Sequence, residues 1–195
     1  MAESASGFRH KTDRLILRDW RDEDWPRFWA LTNTPSVMRW LGHEADEATR
    51  KAARERVEGY ARDYGHTFWL LERLEDGGHL SGEMLGFCGL KRGSVEGSPV
   101  HGIPEIGWRL REDAWGRGYA KEAATAGLDL GFNRFGYGEI VALTVKGNAA
   151  SRGLMQRLGM QRREDLDFHD ANWPDEFNPT IVHAITADEW RSVRQ

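Results

Sequence analysis

Residues 105–123 limit the fold more than any other stretch of the chain. Ile106, Trp108 and Leu110 alternate with Glu105, Gly107 and Arg109, a period of two that predicts a strand. A polar link then leads to Gly116 and Gly118. After it, the small residues Ala120, Ala123, Ala124 and Gly127 run on to Leu128. Such a run suits a helix lying close on a sheet. A strand that enters a helix through a glycine turn gathers free N–H groups at the positive end of the helix dipole, and the glycines let an anion approach the backbone. The stretch lacks the G-x-x-x-x-G-K-[ST] of a phosphate loop. Lys121 also stands where the dinucleotide pattern G-x-G-x-x-G needs its third glycine. On these residues alone the turn is either an anion cradle or a plain connection.

Around this segment the chain alternates strands and helices. Residues 1–10 read as a flexible lead-in and 11–195 as a single domain. Thr12–Trp20 reads as the first strand. Asp22, Glu23 and Asp24 before Trp25-Pro26 mark a helix start, and Thr34-Pro35 repeats the signal for a short second helix. A third helix is expected from about Ala45 to Tyr64. Strands are expected at 66–74 and 84–90, followed by a glycine-containing loop at 92–98. The helix after Gly118 is expected to end near Phe135-Gly136. Ile140–Val145 is almost wholly apolar, as in a strand covered on both faces. Asn148 can cap a helix whose core stripe is Leu154, Met155 and Leu158 and which Gly159 stops. Strands at 160–168 and 179–185 complete the chain. This order gives an α+β, α/β/α-layered domain: a mixed central sheet of six to seven strands with helices on both faces.

Composition removes several classes of function. At 195 residues, with 39% hydrophobic and 30% charged residues, the chain fits a globular protein, and no apolar run approaches the ~20 residues of a membrane helix. The start carries no export pattern, which makes the cytoplasm the expected location. The single cysteine, Cys88, excludes an internal disulfide and reads as a small core residue. The histidines show no ligand spacing, so no metal is expected. A net charge of −4 without a basic block argues against nucleic acid as a partner. Most of the nine tryptophans are expected in the core or in a cleft wall.

Trp115-Gly-Arg-Gly-Tyr-Ala120, with Glu105-Ile-Gly-Trp108 before it and Glu122-Ala123 after it, resembles the acyl-CoA pyrophosphate loop of the GNAT superfamily of N-acetyltransferases. It looks most like the branch of ribosomal-protein N-terminal (Rim-type) acetyltransferases. Gly118 and Ala120 meet the usual Gln/Arg-x-x-Gly-x-Gly/Ala, and Trp115 takes the Gln/Arg place, as is common in that branch. Thr12-x-Arg-Leu-x-Leu-Arg18, Gly86-x-x-Gly-Leu90 and Asn148-x-x-Ser151 are further matches. The resemblance implies the GNAT fold and acetyl-CoA as acyl donor. It implies direct transfer to a primary amine in a ternary complex, the amine being a protein N-terminus or a small cationic molecule, by a monomer or homodimer. A non-catalytic CoA-binding or regulatory module on the same scaffold is the alternative, and intact Asn148 and Ser151 argue for the enzyme.

The implied cofactor-binding set is Trp108, Trp115, Gly116, Arg117, Gly118, Tyr119, Ala120, Lys121 and Asn148. Backbone N–H groups near Gly116–Ala120 would hold the pyrophosphate, with Arg117 or Lys121 adding charge. Those at Gly107-Trp108 would face the thioester carbonyl from a bulge, although a strand glycine also permits close packing. Asn148 would bond the pantetheine arm or the acceptor. Ser151 would protonate the departing sulfur, because no tyrosine lies five to ten residues after it. Glu105, Asp167, His169 and Asp170 are the candidate bases. Asp167, His169 and Trp173 are the candidate acceptor contacts, within an acidic stretch from Glu164 to Glu176 that would favour a cationic acceptor.

Overall fold

The computed structural model describes residues 7–194. One eight-stranded sheet has the order β1-β2-β3-β4-β5-β6-β8-β7. Its strands are β1 (Arg9–Lys11), β2 (Leu15–Arg18), β3 (Phe68–Arg73), β4 (Met84–Arg92), β5 (Pro104–Leu110), β6 (Glu139–Val145), β7 (Gln161–Arg162) and β8 (Thr180–Thr186). Every neighbouring pair is antiparallel except β5 and β6. The six to seven strands expected therefore become eight. The strand beyond the seven expected is the short edge strand β1, which pairs with β2, while β7 falls within the strand expected at 160–168 and pairs with β8. β1 also places residues 9 and 10, expected in the lead-in, within the sheet, whereas residues 1–6 of that lead-in lie outside the described residues.

The helices form two layers. α4 (Tyr119–Asp129), continued by a π turn over Leu130–Arg134, α5 (Ala149–Arg157) and α6 (Ala187–Val193) supply one core with the sheet. There Ala123, Ala124 and Leu128 meet Leu15, Leu17, Ile106 and Ile140, together with Leu154 and Met155. Alanines let α4 approach the strands, as the small-residue run predicts. Over β3 and β4 on the other side lie α1 (Asp24–Thr32), the single turn α2 (Pro35–Met38) and α3 (Glu47–Tyr64). Trp25, Phe28, Trp29 and Met38 pack there with Leu70 and Met84. Buried Arg18 pins the start of α1, its guanidinium donating to both oxygens of Asp24 at 2.7 and 2.8 Å and to Glu72 at 2.5 Å. A third cluster joins Val100, from the loop between β4 and β5, to Val141 and Val182.

The stretch 160–168, expected as one strand, pairs only at Gln161 and Arg162. Glu164–Leu166 turns as a 3₁₀ helix. Asp167 ends the turn by accepting from the Val182 N–H at 3.1 Å and from Arg162 at 2.7 Å. Chain pairing resumes in a single bridge, Phe168 with Thr180.

Candidate active site

The site starts from a fork in the sheet. β4 pairs with all of β5 from Gly86 to Arg92, and β6 and β8 pair along their whole length. β5 and β6 pair at one register position, Glu105 opposite Val141. Both strands continue beyond that point, to Leu110 and to Val145, without further pairing. Two parallel strands that part in this way leave main-chain groups facing a gap. The β4–β5 register runs through Gly107 without a shift, so the expected bulge is not there. Gly107 serves close packing instead: a Cβ would lie 2.9 Å from the Phe68 ring.

Both loops leaving the open end of the fork carry predicted site residues. From β5 the chain passes a 3₁₀ turn, Glu112–Ala114, and reaches the glycine turn. Gly116 and Gly118 have φ of +69° and +80°, a region that side-chain-bearing residues rarely enter. Gly118 is the N-cap of α4 and brings no side chain to cap it. The helix therefore begins with unsatisfied N–H groups at the positive end of its dipole. A Cβ at Gly116 would meet nothing within 4 Å, so the turn is open on that side and an added side chain would occupy the space beside its N–H groups. Trp115, Arg117 and Lys121 are exposed around it, Tyr119 is buried and Ala120 half-buried. These features fit a pyrophosphate, an anion that backbone donors can hold.

What fastens the turn was not apparent in the sequence. Glu122, in the first turn of α4, accepts from Thr12 Oγ1 at 2.6 Å and from the backbone N–H and Nε of Arg14, both at 2.7 Å. Arg14 also donates to the Arg117 carbonyl at 3.1 Å and lies 4.8 Å over the Tyr119 ring. Tyr119 in turn donates to the His79 carbonyl at 3.1 Å. Burial works against the Glu122 carboxylate, yet the donors from Thr12 and Arg14 hold it below the usual glutamate range. Residues more than a hundred positions apart meet here, and no local spacing signals that.

From β6 the chain reaches Asn148, whose side chain caps α5 by accepting from the Ser151 N–H at 3.1 Å. Ser151 is half-buried, and its hydroxyl makes no hydrogen bond to the described residues. Trp40 covers the backbone just before Asn148; a Cβ on Gly147 would come within 2.5 Å of its ring. Trp173 lies against Gly42 and edge-on to Phe177 at 5.9 Å. Residues 40–42 thus lie between the Gly147–Asn148 turn and the Trp173 loop.

The candidate bases are placed apart. Glu105 is buried at the joint of the fork beside Lys91, which donates to it. Burial raises its carboxyl above the ordinary range, although Lys91 pulls the other way. Buried Asp170 accepts from the backbone and side chain of Asn172 at 3.0 and 2.9 Å within its own loop. Asp167 is tied to Arg162 and β8, while exposed His169 sits 3.7 Å from Asp175. Asp165 pairs with Arg163 at 2.7 Å. The acidic stretch is accordingly part-neutralised by Arg162 and Arg163, which immediately precede it.

On the face of β5 that carries Glu105, Gly107 and Arg109 lies a cavity of about 200 Å³. Trp20, Trp25, Phe28 and Trp29 wall it on the α1 side. Phe68 and Phe87, stacked at 4.7 Å, form its floor with Arg109, and Arg56 and Tyr60 of α3 close it. Sequence reading placed Arg109 only as the polar side of an alternating strand.

A sequence profile of the acetyltransferase (GNAT) domain matches residues 14–161. An uncharacterized protein of Bacillus subtilis (strain 168), YkkB, is 37% identical over 153 residues, which span 76% of this chain and 83% of that protein. From the same organism, the uncharacterized N-acetyltransferase YoaA is 28% identical over 155 residues, 78% of this chain and 82% of its own. The crystal structure of an acetyltransferase from Agrobacterium tumefaciens str. C58 shares the fold, with a TM-score of 0.73 and 24% identity over 95% of this chain and 98% of that one. With its forked sheet and glycine-turned helix, the chain belongs to the GNAT family of acetyltransferases and is an acyltransferase.

Proposed function

We propose that the protein transfers an acetyl group from acetyl-CoA directly to a primary amine, both substrates being held together at the fork. The observation that carries this reading is the single pairing of β5 with β6, whose open end points to the glycine turn on one strand and to Asn148 on the other. Acetyl-CoA supplies an activated acyl group with a thiol as leaving group. Toward it the α4 N-terminus at Gly116–Ala120 offers backbone donors for the pyrophosphate, and Arg117 and Lys121 add positive charge at the rim. Unpaired main-chain donors of β5 near Trp108 suit the oxyanion, since donors fixed where charge develops are worth ~2.7–4 kcal/mol. The unengaged hydroxyl of Ser151 suits protonation of the sulfur. Juxtaposing amine and thioester supplies much of the rate. A peptide N-terminus or a cationic amine, the acceptor the Rim-type resemblance implies, gains little support from an acidic stretch already paired with Arg162 and Arg163.

Two substitutions at Gly118 test the cradle. Gly118→Val adds bulk and strain, whereas asparagine tolerates positive φ. Gly118→Asn should therefore keep the fold and still weaken CoA binding at least tenfold by calorimetry. Unchanged affinity in the folded variant would place the cradle elsewhere. Release of free CoA with a panel of amines separates the enzyme from a binding module: no release with any amine, despite CoA binding, would favour the latter.

A further inference from the structure

The aromatic cavity holds a charge that the fold does not neutralise. Arg109 shares its strand face with Glu105 and Gly107, yet none of its nitrogens makes a hydrogen bond or ion pair with the described residues. Its Nε is closed off from solvent without a partner. The guanidinium lies 5.5–5.8 Å from the centres of Phe28, Trp29 and Phe87, contacts that ease its burial without supplying an acceptor oxygen. Burial, followed by the like charge of Arg56, brings it down to about 10 from the ordinary arginine value. On the same strand face, Glu105 is occupied by Lys91, and Asp24 and Glu72 are occupied by Arg18. Asp22 is held by Arg54. Among the groups lining the cavity, Arg56, Lys91 and Arg109 are cationic and no carboxylate is present.

Arg109 is half-buried with its Nε sealed off, and a guanidinium set among aromatic rings without a partner is unusual, because charges withdrawn from water are normally paired. Its planar fork matches a carboxylate in two parallel hydrogen bonds. The chamber is also smaller than the ~300–1,000 Å³ of pockets for drug-sized ligands, which fits a compact body and not a protein segment. Resting on the acetyltransferase reading, we infer that the acceptor is a small primary amine carrying a carboxylate and a flat apolar body, an aryl-bearing amino acid in chemical class, with its carboxylate on Arg109 and its ring against Phe68, Phe87 and the α1 tryptophans. In the transfer, the amine nitrogen forms the new bond to the acetyl carbon and the carbon–sulfur bond breaks. The sulfur leaves with the electron pair and a proton, giving CoA and an N-acetyl carboxylate.

The experiment compares wild type, Arg109→Met and Arg109→Lys by the rate of CoA release. The acceptors are phenylalanine, tryptophan, their amides, phenethylamine, tryptamine and spermidine. Wild type should prefer the free carboxylates over the matching amides and decarboxylated amines by thirtyfold or more in kcat/KM, about what loss of one partner from a buried charge pair costs. Arg109→Met should lose that preference through KM while keeping its KM for acetyl-CoA, and Arg109→Lys should restore part of it. A wild-type preference for amides, for decarboxylated amines or for spermidine overturns the inference, and needs no variant to fold. An Arg109→Met protein that loses carboxylate and decarboxylated acceptors equally overturns it too. Failure of the wild type to bind CoA would instead strike the proposed function itself.

Discussion

At the scale of single residues, several side chains serve the fold in ways that separate cleanly from chemistry. Asn148 caps α5 through its amide oxygen, so Asn148→Ala should cost about 1 kcal/mol of stability, whereas Asn148→Asp keeps an oxygen there and should cost almost none. If Asn148 also touches substrate, the aspartate variant will be stable and slow; thermal denaturation and kcat measured together distinguish the roles. Ser151 gives its N–H to that cap and leaves its hydroxyl unengaged, so Ser151→Ala should change stability by less than ~0.5 kcal/mol. Its kcat should fall roughly a hundredfold, with little change in acetyl-CoA binding, as expected of a proton donor to the sulfur. Equal kcat in the two proteins would leave Ser151 as a helix-turn residue. Asn148 and Ser151 were legible because a cap and its turn are local in sequence. Arg109 was not, because alternation marks it only as the polar face of a strand. Whether that face meets water or a layer of tryptophans depends on α1, some eighty residues earlier.

At the scale of elements, α3 and α4 contrast. α4 buries Tyr119, Ala123, Ala124, Ala126, Gly127 and Leu128, while none of the 18 residues of α3 is fully buried. Helices with few buried apolar contacts open at low free energy. Amide exchange should therefore run faster through α3 than through α4, and an acceptor filling the aromatic cavity should slow it, since Arg56, Val57 and Tyr60 line that space. Exchange followed by mass spectrometry, with and without ligand, measures both. Most of the longer elements stood out by period or caps: Asn148 caps α5 by accepting from Ser151 at 3.1 Å, and Gly159, at φ +83°, follows its end. β1, of three residues, is too short to show any period. Residues 160–168 misled because their apolar positions suit a strand, while the side chain of Asp167 bends the chain into a turn.

At the scale of the whole molecule, the N-terminal strands and α4 are joined by the Glu122 carboxylate. Because its folded pKa is depressed, the stability it contributes is present above its unfolded value near 4.5 and is lost as pH falls through the lower folded value. Glu122→Gln should cost roughly 1.5–3 kcal/mol at neutral pH. Below pH 4.5 the gap to wild type should narrow, which paired denaturation curves from pH 7 to 3 would show. The forked sheet has a consequence of another kind. β1–β5 form one raft of hydrogen bonds and β6–β8 another, with a single rung between them. What spans the gap is packing: Ile106 and Ile140 in the core that α4 and α5 cover, and Val100 laid against Val141 and Val182 on the far side. Apolar packing resists separation but has no fixed register, so the two rafts can swing slightly about Glu105 without breaking a ladder. The sheet is in this respect a pair of tongs, with its rivet at the Glu105–Val141 rung and its jaws opening toward the glycine turn and Asn148.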